Sequence, residues 1–181
     1  MKIITGQYGG RRFDPPSNLQ ARPTTDLAKQ ALFNILQCRL DFEGCQALDL
    51  FSGTGSISFE LLSRGASHVT SVEMGRPQQQ FIQKVAEALR IPRTQHLLLR
   101  GDVFRYLGSS PTQPFDFIFA DPPYALPRLA ELPGLILRSE WLKPEGILVL
   151  EHGKEYDFST EPGFQEIRTY GAVHFSFFSL V

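Results

Sequence analysis

The sequence predicts an α/β fold, a mostly parallel seven-stranded sheet finished by an antiparallel hairpin, and three observations predict it. Five short apolar runs alternate with helical stretches: ALDLF (47–51), HVTSVE (68–73), HLLLR (96–100), FDFIFA (115–120) and GILVLE (146–151). Such alternation builds parallel sheets from strand–helix–strand units. At the end of the chain, FQEIRTY (164–170) and AVHFSFFSL (172–180) are separated only by Gly171, a connection too short for anything but an antiparallel pair. Finally, 181 residues of which 42% are hydrophobic supply one core and not two.

The elements follow in order. Residues 1–13 read as a small β-hairpin around Gly6, Gly9 and Gly10, with Arg11 and Arg12 after the turn. Behind Pro23, Thr24 or Thr25 caps a helix whose apolar positions Leu27, Ala31, Leu32, Ile35 and Leu36 have helical spacing and are expected to pack on the main body. Residues 1–44 thus form an N-terminal extension, and 45–181 the core of a single domain. SISFELLSRG and PQQQFIQKVAEALR carry helical periodicity between the first three core strands.

Charge is unevenly spread although its sum is only −1. Residues 1–40 hold Lys2, Arg11, Arg12, Arg22, Lys29 and Arg39 against Asp14 and Asp26, a balance of +4; twelve basic and seventeen acidic residues remain, or −5. The N-terminal extension is therefore the place for an anionic partner, with a solvated charged face as the plainer reading. Cys38 and Cys45 have neither disulfide-framework nor zinc spacing and are expected to be reduced and buried. His68, His96, His152 and His174 lack metal spacing, so no metal is expected. No apolar run approaches the ~20 residues of a membrane span, and MKIITGQYGGRR breaks into Gly and Arg before an apolar leader forms. A cytoplasmic protein is expected.

The chemistry concentrates at strand ends. DLFSGTGSI (49–57) puts Gly53 and Gly55 in a loop opening onto a helix, where glycine lets backbone approach a ligand. Ser58 stands where a dinucleotide fingerprint needs its third glycine. Asp49 precedes the loop, Glu73 ends the second run, Asp102 follows the third and Asp121 the fourth. Strand ends are wet, which alone can account for any one acid there. Four acids around one crevice repel a pyrophosphate but suit S-adenosylmethionine: Glu73 for the ribose hydroxyls, Asp102 for the adenine amine, Asp49 with the glycine loop for the methionine end.

Asp121-Pro122-Pro123-Tyr124 ends the fourth run. Proline fixes φ, removes a donor and restrains its predecessor, so this is a stiff loop with outward acceptors. Asp121 and the Pro122 carbonyl can take the two hydrogens of an exocyclic amine, and Tyr124 can stack on its base. A strand-terminating turn with a surface aromatic is the bland alternative.

Together LDLFSGTGSISFELLSRGA (48–66), VE (72–73), GD (101–102), FDFIFADPPY, ITGQYGGRR and RPTTDLAKQALFNIL (22–36) resemble the RsmD-type bacterial 16S rRNA guanine-N2 methyltransferases. The resemblance implies a Rossmann-like class I methyltransferase fold, S-adenosylmethionine as donor and a guanine of small-subunit rRNA as acceptor. It implies catalytic roles for Asp121, Pro122, Pro123 and Tyr124, cofactor contacts at Asp49, Phe51, Gly53, Gly55, Glu73, Asp102, Val103 and Asp121, and RNA contacts at Lys2, Arg11, Arg12 and Arg22. The chain is less basic than an RNA enzyme usually is, which fits 16S rRNA partly presented by protein within a small-subunit assembly intermediate; a monomer is expected. Other readings are an adenine-N6 or protein glutamine-N5 methyltransferase, usually marked by Asn in place of Asp121, and a non-catalytic cofactor- or RNA-binding scaffold. A dehydrogenase is disfavoured by Ser58 and Asp49.

Overall fold

The computed structural model describes residues 1–19 and 24–180. The chain runs α1 (Asp26–Leu36), β1 (Gln46–Leu50), α2 (Ser56–Ser63), β2 (His68–Glu73), α3 (Arg76–Ala88), β3 (His96–Arg100), α4 (Val103–Leu107), β4 (Phe115–Ala120), a 3-10 turn (Leu129–Glu131), α5 (Leu132–Leu137), β5 (Leu142–His152), β6 (Phe164–Tyr170) and β7 (Val173–Phe178). One seven-stranded sheet has the order β3-β2-β1-β4-β5-β7-β6. β1 to β5 pair in parallel, and β7 lies antiparallel between β5 and β6. The order reverses between β1 and β4, which opens a crevice beyond the carboxyl ends of those strands.

Alternation along each buried strand divides the core into two layers. Ala47, Phe117, Phe119 and Val149 face α1, α2 and α3, whose Leu32, Phe59 and Ile82 cover them. Leu48, Leu50, Ile118 and Leu148 face α4 and α5, covered by Leu107, Leu132 and Ile136.

Strand β5 starts at Leu142, four residues before the expected GILVLE. Its first residue pairs with Phe115 and the ladder resumes at Ile147 opposite Phe117. A bulge absorbs the polar residues between, where Glu145 takes φ 67°.

The N-terminal extension departs further from expectation. The predicted β-hairpin is reduced to one bridge, Lys2 with Arg12, and a few backbone bonds such as Ile3 N–H to Arg11 C=O (3.0 Å). A two-stranded ladder does not form because the amides of Ile4 and Thr5 donate to the carboxylate of Glu60 on α2 (2.8 and 3.1 Å). Gly6, at φ 92°, lies so close that a Cβ there would sit 2.0 Å from the Ser63 carbonyl oxygen.

Helix α1 starts where expected, with the Thr25 hydroxyl accepting from Ala28 N–H (3.1 Å). Its packed face is rotated, however: Ala28, Lys29, Leu32, Phe33 and Leu36 are buried, while Leu27, expected in the core, is 78% exposed. Lys29 turns inward because its ammonium meets Glu60 (3.1 Å), both side chains fully buried. Arg64 completes the cluster at 2.8 Å from the other Glu60 oxygen. Burial alone would raise the Glu60 pKa, but Lys29, the Ile4 and Thr5 amides and Arg64 outweigh it and hold the carboxylate ionised below its ordinary value. Of the two cysteines, Cys45 is buried and Cys38 exposed, so only the first matches expectation.

Glu60→Ala would strand the Lys29 ammonium in the core and release two N-terminal amides. The expected loss is about 3–5 kcal/mol, measured by urea unfolding of the intact chain.

Candidate active site

A cavity of about 480 Å³ occupies the crevice beyond β1, β2 and β4. Asp49, Glu73, Asp102 and Asp121 all reach its wall, as do Phe51, Gly53 and Val103. Pro122, Pro123 and Tyr124 form part of the same wall. Parallel topology brings them together, because each acid sits at or near the carboxyl end of its strand.

The loop after β1 alternates through left-handed conformations, with φ 57° at Phe51, 58° at Gly53 and 79° at Gly55. Glycine meets that demand at two positions, and Phe51 takes it as a β-carbon residue at a strained site. Glu73 pins the loop: one oxygen accepts from Gly53 N–H (2.7 Å), the other from Gly75 N–H (2.8 Å). The loops after β1 and β2 are thereby tied to one carboxylate that retains a further lone pair on each oxygen. Gly55 does not line the cavity as a contact residue. It stands behind the loop, where a Cβ would fall 2.7 Å from the ring of Phe59.

Asp49 differs from the other acids in being buried. One of its oxygens accepts from Ser58 N–H (3.1 Å) and Ser58 O–H (2.6 Å). Ser58 Oγ contacts Ser71 Oγ (2.6 Å), which contacts His96 Nε2 (2.9 Å). The register places Asp49 beside Ser71 on the α2 face of the sheet. With Asp49 ionised, Ser58 gives its proton to the carboxylate, so Ser71 donates to Ser58 and His96 to Ser71. Burial raises the Asp49 pKa to about 7 against the lowering hydrogen bonds from Ser58. Burial also lowers His96 to about 4, keeping it neutral.

Asp102 caps α4 by accepting from Arg105 N–H (3.0 Å) through one oxygen, leaving the other for the cavity. Asp121 N–H donates to Leu50 C=O (3.2 Å), joining the Asp-Pro-Pro loop to β1. The expectation of wholly outward acceptors there needs correction, because the Pro123 carbonyl accepts from Leu126 N–H (2.9 Å). Pro122 is buried and its carbonyl has no such partner among the described residues.

Of the residues expected to touch RNA, Lys2, Arg11 and Arg12 do not line the cavity. Lys2 and Arg12 form the N-terminal bridge and Arg11 lies 5.5 Å over the Phe13 ring. Arg22 lies outside the described residues.

Sequence reasoning missed Phe104 and Met74, both in the wall. Phe104 packs edge-on against Phe51 (6.4 Å) and carries Arg128 over its ring at 4.1 Å. Its signal was position, in the first turn of the helix opened by the third acid. Met74 follows Glu73 directly and is 68% exposed, giving an apolar surface where the sequence offered no charged or aromatic group.

Among known proteins, the family model described as "Conserved hypothetical protein 95" matches residues 1–179. Ribosomal RNA small subunit methyltransferase D of Escherichia coli is 32% identical, over 90% of this chain and 79% of its own. The Haemophilus influenzae protein of the same name is 31% identical, over 86% and 80%. The chain belongs to this methyltransferase D family. Structures agree: the candidate methyltransferase yhhF of Escherichia coli superposes with TM-score 0.85 at 27% identity, covering 100% of this chain and 99% of that one. The seven-stranded sheet with its antiparallel edge is therefore the class I methyltransferase sheet.

The buried carboxyl of Asp49 carries a pH signature. Folded, it keeps its proton to about 7, whereas its ordinary value is 3.8. Between those values the folded state binds more protons, so this group's contribution to stability falls as pH rises. Asp49→Asn, which keeps an acceptor for Ser58, removes that slope. Urea midpoints measured from about pH 4 to about pH 8 are expected to shift in the variant's favour as pH rises.

Proposed function

We propose that this chain transfers a methyl group from S-adenosylmethionine to the exocyclic N2 amine of a guanine in small-subunit rRNA. The observation that carries the reading is the meeting of four strand-end carboxylates in one cavity with the Asp121-Pro122 loop on its wall. Membership of a family whose members are named for methylating small-subunit rRNA supports the acceptor class.

The residues present fit the donor. Glu73, anchored by the Gly53 and Gly75 amides, retains lone pairs for ribose hydroxyls. The second oxygen of Asp102 suits an adenine amine, with Phe104 and Met74 as apolar flanks. Asp49, poised near neutrality, becomes a counter-charge for the methionine ammonium. When bound, S-adenosylmethionine supplies an electrophilic methyl on a cationic sulfur.

Asp121 and the Pro122 carbonyl do the remaining chemistry. An exocyclic amine is a poor nucleophile because its lone pair is delocalised into the ring. Two acceptors on its hydrogens fix the nitrogen's orientation, raise its electron density and stabilise the positive charge that develops on attack. Tyr124 supplies a face on which a base taken out of its helix can stack. Residues 1–44 serve as the RNA-contacting extension and 45–181 as the catalytic core, working as a monomer on an assembly intermediate. The net charge of −1 favours an acceptor presented by more than its phosphates.

Transfer of labelled methyl to small ribosomal subunits lacking the modification, with mapping of the modified base, tests the reading. Label on guanine N2 is expected; label confined to protein or DNA overturns it. Asp121→Ala is expected to lower transfer by about 10²–10³-fold while S-adenosylhomocysteine still binds.

For the extension, neutralising Arg11 and Arg12 together is expected to reduce the slope of log affinity against log salt by roughly 1.5. Filter binding of rRNA across salt concentrations measures it, and an unchanged slope returns both arginines to a solvated face.

A further inference from the structure

Resting on the cofactor reading above, the geometry points to Lys29 as a positioning residue: it holds the Ser56 hydroxyl as a hydrogen-bond donor into the cavity, aimed at the carboxylate of the cofactor's amino-acid end.

The cavity poses an electrostatic problem for that end. Its wall carries Asp49, Glu73, Asp102 and Asp121, and among the described residues no lysine or arginine lines it. A ligand with an amine, a diol and a sulfonium is accommodated by such a wall, but its own carboxylate is not. Among the described residues, the donors that can meet it are uncharged groups of the wall and charges set behind it.

Ser56 is the first residue of α2 and lines the cavity. Its Oγ accepts from Lys29 Nζ at 2.9 Å. A hydroxyl has one proton, and with Lys29 as donor that proton stays available. No described residue accepts it. The lysine cannot reverse the arrangement, because its ammonium only donates and its three N–H groups are all committed: to Ser56, to the Lys2 carbonyl (2.8 Å) and to Glu60 (3.1 Å). That tripod also fixes the ammonium in place, with no exposed surface through which it could swing to solvent. A buried positive charge thus stands one hydroxyl behind the cavity wall, where water screens it little. It polarises Ser56 as a donor and favours an anion in front of it.

The test compares two ligands on the intact chain by calorimetry: S-adenosylhomocysteine and its decarboxylated analogue, which lacks only the carboxylate. Ser56→Ala and Lys29→Met are each expected to weaken S-adenosylhomocysteine by about tenfold, the range for losing a hydrogen bond to a charged group. Neither is expected to move the analogue by more than about twofold. The double variant should be no weaker than either single one, since both act through one hydroxyl. Equal weakening of both ligands would make Lys29 merely structural and overturn the role, as would full retention of the discrimination by Ser56→Ala. Ser56→Ala leaves the Lys29–Glu60 pair intact, so it decides the matter if Lys29→Met fails to fold. A wild-type chain that binds the decarboxylated analogue as tightly as S-adenosylhomocysteine overturns this role alone; one that binds neither overturns the cofactor reading with it.

Discussion

The carboxylate of Glu60 is the interaction on which the N-terminal half of the molecule depends. It accepts from two amides of the first five residues, from Lys29 of α1 and from Arg64 at the end of its own helix. Four partners for two oxygens leave nothing unsatisfied in a fully buried group. Such a cluster adds little net stability over an apolar replacement, because desolvation consumes most of the attraction. Its effect is specification. Only one placement of the extension against α2 brings all four donors to the two Glu60 oxygens, and that placement also sets α2 against the cavity it helps to close.

The second constraint is topological. Parallel strands send their carboxyl ends to one edge, and the reversal of order between β1 and β4 leaves a gap there. Every acid at a strand end is delivered to that gap, yet the acids do not become equivalent. Glu73 and Asp102 remain at the rim with backbone donors, whereas Asp49 lies one layer deeper in a network of hydroxyls. Depth is what raises the Asp49 carboxyl to titrate near neutrality.

Much of this was legible in the residues. The bounds of β2, β3, β4 and β6 match the segments read from the sequence, since each segment ends at or beside glycine or a charged residue. The acids and DPPY were readable because their chemistry depends on residue type and on a strand end, both local properties. What escaped depends on contacts distant in sequence. The hairpin was lost to a glutamate more than fifty residues away. The face of α1 was mis-assigned because an inward lysine breaks the apolar pattern that periodicity relies on. The pairing of Ser58 with Asp49 and Ser71 needs strand register, which no local pattern encodes.

The hydroxyl chain from Asp49 to His96 has one more property. Each serine has a single proton, so all donors point towards Asp49 when it is ionised, and all can reverse together when it is protonated. In the first state His96 carries its hydrogen on Nε2; in the second that nitrogen accepts. The imidazole tautomer is therefore a readout of the charge at the floor of the cavity, carried across two strands to a ring whose nitrogen resonances can be observed without touching the ligand site.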